Sequence, residues 1–209
     1  MAGGSKTSYS REDLDRYFDY NIFPAKRILF LGSCSYQDGV ESGVDHDMFA
    51  YFLKGLTYLD STAEEPIVVH MNTDGGDASH GMAIYDAIRA CRSHVSFVVW
   101  GSAMSMGCVI LQAADTRYVS RDCVLMIHDG NSDLGGHTRN VERWAERSKQ
   151  FRRRMYEIYL EKMMRKNKTL TLKKVENLCT LDTIYGAEEA VDVGLADHVL
   201  DSFEVLKGE

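Results

Sequence analysis

Three times between residues 28 and 114 the chain runs through one cycle: a short block of apolar residues, a glycine-bearing turn, and a segment whose apolar residues return every three to four positions. The first block is Ile28-Leu29-Phe30-Leu31, closed by Gly32, with Met48, Phe52, Leu56 and Leu59 as the helical stripe that follows. The second is Ile67-Val68-Val69-His70-Met71, turned by Gly75-Gly76 into a helix over 78–91 whose face carries Ala83, Ile84, Ala87, Ile88 and Cys91. The third is Val95-Ser96-Phe97-Val98-Val99-Trp100, ended by Gly101, after which the small residues 102–107 lead into an apolar helix reaching Ala114. Continuous apolar runs this short read as strands covered on both faces, and the 3.6-residue stripes read as helices lying on them. Strand and helix in alternation predict an α/β domain around a largely parallel sheet with right-handed crossovers.

Beyond the third cycle, two further strands are expected at 117–119 and 124–127, the second running directly into His128. The glycine-rich stretch 129–136 follows, then a long charged amphipathic helix over 138–167, a shorter one over 172–178, and another over 187–193 stopped by Gly194. A last strand is expected near 198–200. The first 26 residues read as a polar arm with a short helix over 11–18, residues 27–202 as one domain, and 203–209 as a tail.

Composition narrows the function classes. The 209 residues hold 24 Lys and Arg against 31 Asp and Glu, a net charge of −7, which disfavours nucleic acid because phosphate binding needs a basic surplus. The exception is Arg147-Ser148-Lys149-Gln150-Phe151-Arg152-Arg153-Arg154, but Glu142, Glu146, Glu157 and Glu161 alternate with it at helical spacing, as on a solvated face. The longest membrane candidate, residues 95–101, is far too short for a span, and the N-terminus has no apolar leader, so a soluble cytoplasmic protein is expected. Cys34, Cys91, Cys108, Cys123 and Cys179 are odd in number and lack metal-ligand spacing, which reads as small core residues in a reducing compartment.

Two residues stand where chemistry is done. Ser105 lies between the end of a buried strand and the start of an apolar helix, beside backbone N–H groups free to hold an anion, although a plain helix cap would occupy the same place. His128 ends a strand and precedes Asp-Gly, so its imidazole emerges at the sheet edge, where a general base or an ordinary backbone-bonded histidine would fit. The turn Asn72-Thr73-Asp74-Gly75-Gly76-Asp77 allows its N–H groups to approach a substrate carbonyl. It is not G-x-G-x-x-G, which removes support for a dinucleotide site, and Ser105 is not in a G-x-S-x-G elbow. From residue chemistry alone, a third member could be Asp182, Asp115, Asp122, Asp129 or Asp133.

Taken together, several segments resemble one family, the proteolytic subunit of the Clp protease, ClpP. Gly101-Ser102-Ala103-Met104-Ser105-Met106-Gly107 is similar to its nucleophile segment G-x-A-x-S-M-G, and Val124-Leu125-Met126-Ile127-His128 to its base segment. Gly75-Gly76 with Gly81-Met82-Ala83-Ile84-Tyr85-Asp86 is similar to its glycine turn and following helix. Residues 181–190 and Gly194-Leu195-Ala196-Asp197 resemble the segment carrying the family's catalytic aspartate. The resemblance spans about residues 18–200 and implies a serine endopeptidase with Ser105 as nucleophile, His128 as base and Asp182 as orienting acid. It implies further that the N–H groups of Gly76 and Met106 hold the oxyanion. Also implied are a crotonase/ClpP-like βαβ spiral, two stacked heptameric rings joined by the 138–167 helix, with the glycine-rich 129–136 segment as a strand before it, as a handle, and peptides or unfolded proteins as substrates. The subunit then needs no cofactor of its own, ATP entering only through an AAA+ unfoldase partner.

The chain departs from that family at several places. Asp74 stands where a proline usually precedes the glycines, residues 32–47 and the segment after His128 are longer, and Val68, His70 and Ala90 replace aromatic residues of the unfoldase-docking pocket. Those replacements argue against the usual apolar docking. Two other readings stay open: a ring-forming variant with weak or specialised, for example capsid-related, proteolysis, and a non-proteolytic crotonase-like protein binding an acyl-CoA thioester.

Overall fold

The computed structural model describes residues 9–34, 36–37, 40–131 and 135–202. The first helix, α1 (Arg11–Tyr20), starts at Ser10, whose hydroxyl accepts from Asp13 N at 3.0 Å while the Asp13 carboxylate accepts from Ser10 N, and stops at left-handed Asn21. Strand β1 (Ile22–Phe23) then runs antiparallel to β2 (Ile28–Gly32). A two-stranded ladder, β3 (Tyr36–Gln37) with β4 (Val40–Glu41), precedes α2 (His46–Thr62), capped by Asp45 on Met48 N at 2.8 Å. Next come β5 (Ile67–Thr73) and α3 (Ala78–Ala90), the latter capped by Asp77 on His80 N at 2.8 Å.

Strand β6 (Val95–Met104) is the pivot of the sheet. It pairs in parallel with β5 on one side, and on the other its residues 96–99 pair in parallel with β7 (Thr116–Val119), while 102–104 pair in parallel with β8 (Val124–Ile127). Between β6 and β7 lies α4 (Met106–Leu111), buried along its whole length. The last part comprises α5 (Thr138–Met163), α6 (Leu172–Cys179), β9 (Thr183–Gly186), α7 (Ala187–Val193) and β10 (His198–Val199). The path β1-β2-β5-β6-β7-β10 forms the main sheet, and β9 joins it antiparallel to β8.

The alternation expected from the sequence is therefore present, and the core sits where the stripes pointed. Ile67, Val69 and Met71 of β5 and Val95, Phe97 and Val99 of β6 are essentially inaccessible, packed with Met48, Phe52, Leu56, Leu59, Ile84 and Ile88 of α2 and α3. Gly194, left-handed at φ 86°, ends α7 as expected. Cys108, Cys123 and Cys179 are buried and Cys34 and Cys91 half-buried, all five as free thiols. Among the described residues no helix is long and apolar enough to cross a membrane.

Several boundaries differ from the expected ones. Gly101 does not end the third strand: it takes φ 76° and β6 continues through Ser102-Ala103-Met104 because β8 supplies a partner there. Helix α4 gives way at Gln112 to tighter turns, Ala113 N bonding Ile110 O and Ala114 N bonding Leu111 O. Strands 117–119 and 124–127 do not pair with each other, since both lie along β6. The long helix stops at Met163 and not Asn167, its end tightened by Arg165 N to Lys162 O and Lys166 N to Met163 O, both 3.1 Å. Residues 129–131 and 135–136 are not strand, and 132–134 lie outside the described residues, as do 1–8 of the arm and the 203–209 tail.

Candidate active site

Three strand ends bring Ser105, His128 and Asp182 together. The parallel register Met104 to Met126, extended by Ser105 N donating to Met126 O at 2.9 Å, sets the ends of β6 and β8 side by side. The antiparallel register Ile127 to Thr183 then puts Asp182, one residue before β9, opposite His128, one residue after β8. The result is a continuous chain of contacts: His128 Nε2 lies 2.8 Å from Ser105 Oγ, and His128 Nδ1 lies 2.9 Å from Asp182 Oδ1. With Nδ1 protonated toward the carboxylate, Nε2 is left to accept the serine proton.

Ser105 is held in an uncommon backbone state, φ 51° and ψ −121°, which for a residue with a side chain costs about 1–3 kcal/mol. The surroundings enforce it. Its carbonyl accepts from Cys108 N at 3.0 Å and Val109 N at 3.2 Å as α4 begins, while its N–H is committed to β8. Gly75, at φ 101°, lies directly against it. Gly76, at φ 149°, is pinned by Val44, whose N–H donates to Gly75 O and whose carbonyl accepts from Asp77 N, both at 2.7 Å. Among the described residues neither Gly76 N nor Met106 N is taken up by a hydrogen bond.

His128 is steadied from behind. The next residue, Asp129, donates its N–H to Cys179 O at 2.7 Å, and its carboxylate accepts the hydroxyl of Tyr156 from α5. Burial first, then that carboxylate, hold the Tyr156 phenol in its protonated form well above its usual range. Asp182 is 64 % exposed and His128 22 %, so solvent screens much of the carboxylate's charge at the imidazole. Burial pushes the thiols of Cys108 and Cys179 up to about 12, which keeps these neighbours of the site inert as nucleophiles.

A cleft of about 830 Å3 opens over Ser105 and His128 between α3 and α5. Its α3 wall presents Ala78, Met82 and Asp86, and its α5 wall Trp144, Phe151 and Met155. No group of three or more His, Cys, Asp or Glu side chains among the described residues is arranged to hold a metal ion. Chemically, a hydroxyl and an imidazole at the cleft, with a carboxylate on the far side of the imidazole and open N–H groups beside the hydroxyl, are suited to acyl transfer.

The Clp protease family model matches residues 20–203. The chain belongs to the Clp protease family. It is 32 % identical over 198 residues to the ATP-dependent Clp protease proteolytic subunit of Deinococcus radiodurans, a match covering 93 % of this chain and 90 % of that one. The mixed α/β fold, a sheet with seven helices among the described residues, agrees with the family.

Of the other aspartates open from the sequence, Asp115 accepts from Val95 N at 2.9 Å, Asp122 is exposed in the turn between β7 and β8, Asp129 is engaged by Tyr156, and Asp133 lies outside the described residues. The tie from Tyr156 to Asp129 and the cleft face of α5 escaped the sequence reading. A buried tyrosine inside a charged helix was the only hint of the first, and a four-residue spacing of Trp144, Ser148 and Arg152 the hint of the second.

Proposed function

We propose that this chain is a serine endopeptidase of the ClpP type, with Ser105 as nucleophile, His128 as general base and acid, and Asp182 as the orienting carboxylate. The observation that carries the reading is His128 in contact with both other groups, 2.8 Å to Ser105 Oγ and 2.9 Å to Asp182 Oδ1. Ser105 Oγ attacks the peptide carbonyl carbon as its proton passes to His128 Nε2. The carbonyl oxygen becomes an oxyanion, taken by the N–H groups of Gly76 and Met106, donors worth on the order of 3 kcal/mol each in such sites. The imidazolium returns the proton to the leaving amine as the C–N bond breaks. Water, deprotonated by the same nitrogen, then releases the acyl group and restores the serine.

The same reading has the subunit work in two stacked heptameric rings with α5 as the handle between them, and the active sites facing the enclosed space. An acyl-CoA-binding role is disfavoured because it leaves the aligned Ser105 and His128 without a task. Docking of an unfoldase through an apolar loop is expected to be weak. At the site where aromatics are usual, His70 accepts from Trp100 Nε1 at 3.0 Å and lies 5.3 Å from the Phe30 ring, so Trp100 returns part of the aromatic area while the imidazole keeps the surface polar. The chain is then expected to act on short peptides alone or with a partner of different chemistry, and to need no cofactor of its own.

The deciding experiment is labelling with a serine-directed phosphonate, read by peptide mass. Modification at Ser105 that disappears in His128→Ala supports the assignment. Labelling elsewhere, or peptidase turnover surviving in Ser105→Ala, overturns it. Native mass measurement tests the ring, and a monomer at micromolar concentration would refute that part.

A further inference from the structure

The α5 wall of the cleft has a charge pattern that the catalytic reading does not use. Trp144, Arg147, Phe151 and Arg154 are spaced by three and four residues, so they share one helix face, and all line the cleft. Arg152 lines it as well. Among the described residues none of these three arginines makes an ion pair: Arg147 meets only Gln150 Oε1 at 3.3 Å and Arg152 only Ser148 Oγ at 3.4 Å. Outside the cleft, Lys149 pairs with Glu146 at 3.5 Å and Arg153 with Glu157 at 3.1 Å, while Arg139 and Arg143 nearer the start of the helix make no ion pair among the described residues. In a chain of net charge −7, three guanidinium groups without an ion pair among the described residues thus line the cleft that holds Ser105. The opposing carboxylates are few. Asp86 lines the α3 wall, and Asp129 already receives the Tyr156 hydroxyl.

Resting on the protease reading, we propose that this cleft selects peptide segments carrying glutamate or aspartate near the cleaved bond, with Arg154 and Arg147 as specificity-determining residues. A planar guanidinium matches a carboxylate through two parallel hydrogen bonds, and Trp144 and Phe151 beside these arginines give the neighbouring substrate side chains an apolar surface. Helix geometry sets the spacing. Tyr159, whose hydroxyl reaches Ser105 O at 3.4 Å, marks the level of the reacting serine on α5. At 1.5 Å per residue, Arg154 lies about 7.5 Å and Arg147 about 18 Å along the axis from it. An extended peptide advances about 3.3 Å per residue. With the peptide extended along the axis of α5, an acidic side chain about two residues from the cleaved bond meets Arg154, and one about five residues away meets Arg147.

The test uses the assembled full-length protein and glutamine-rich decapeptides with one cleavable central bond, in which a single glutamate is scanned through every position. Glutamate two or five residues from the bond is expected to raise kcat/KM about tenfold over glutamine, less at high salt. Arg154→Gln should abolish the nearer preference and Arg147→Gln the farther one. In parallel, Ser105→Ala is titrated with fluorescently labelled copies of the same peptides, which reads binding without chemistry. Glutamate-dependent binding there without any Ser105-dependent cleavage would overturn the protease reading and leave this one standing. Equal kcat/KM and equal binding within twofold for glutamate and glutamine overturns the proposal. So does a preference that survives both arginine substitutions, or a change of assembly mass in those variants with no glutamate preference in the parent, which would assign the arginines to contact between copies.

Discussion

Gly75 lies so close under Ser105 that a Cβ built on the glycine would stand 2.7 Å from the serine's own Cβ and 2.8 Å from Met104 O. The glycine also has φ 101°, a conformation that costs any other residue. Gly75→Ala is accordingly expected to displace Ser105 while the sheet remains, since the clash falls on the turn and not on the core. Phosphonate labelling should slow by at least about tenfold, with circular dichroism unchanged. Labelling at the parent rate would show that the turn absorbs the methyl without moving the serine.

Asp182 holds the imidazole from a largely exposed position. In Asp182→Asn the carboxamide offers Nδ1 a weaker and tautomer-ambiguous partner, so kcat should fall by about two to three orders of magnitude with KM little changed. A buried carboxylate in this role would cost more, because solvent screens part of the charge here. A drop of less than threefold would remove Asp182 from the mechanism.

Tyr156 donates to a carboxylate from a site only 7 % exposed. Losing that hydroxyl in Tyr156→Phe should cost about 1.5–3 kcal/mol, seen as a lower urea midpoint at unchanged slope. Turnover should fall too, because Asp129 is the residue that fixes the chain just after His128. An unchanged midpoint would mean that water replaces the phenol freely.

Far from the cleft, Arg117 is 1 % exposed and clasped by Asp197 at 2.6 and 2.9 Å, with Gly194 O at 3.0 Å and Gln112 on its remaining donors. Burial would raise the Asp197 carboxyl, but the Arg117 hydrogen bonds and charge outweigh it and hold the group below its ordinary value. A carboxylate depressed in the folded state contributes its stability in full above the ordinary Asp range of about 4 and loses it as pH falls through the folded value. Acid unfolding should therefore steepen below about pH 4, and Asp197→Asn should flatten that limb while lowering stability at pH 7. Parallel acid limbs in parent and variant would refute the linkage.

The parts of this architecture legible from residues alone are those where one physical signal dominates. Val95, Phe97 and Val99 declare a buried strand, and the stripe of α2 with Asp45 before it declares a capped helix. Where two signals compete, tertiary context decides. Gly101 and Ser102 carry turn chemistry yet sit in β6 because β8 pairs there. Thr183 to Gly186 is too short and mixed to announce a strand, and only its ladder with β8 makes it one. The same ladder explains why Asp182 was reachable through family resemblance and not through its own neighbourhood: its partner in space is 54 positions away in the chain. Ser105 and His128 were legible because each stands at the end of a strand that reads clearly by itself.

The divided pairing of β6 separates two kinds of tolerance at a single peptide. Upstream of Gly101 the strand is clamped between β5 and β7 among inaccessible side chains, and a substitution there is judged by volume. Downstream, the three residues facing β8 set the distance between a hydroxyl and an imidazole, and a substitution there is judged by tenths of an ångström. On the proposed peptidase reading, a protein built this way has a hidden class of lesions: variants that fold and melt like the parent yet are silent, because the error lies in alignment and no thermal survey would pick it out.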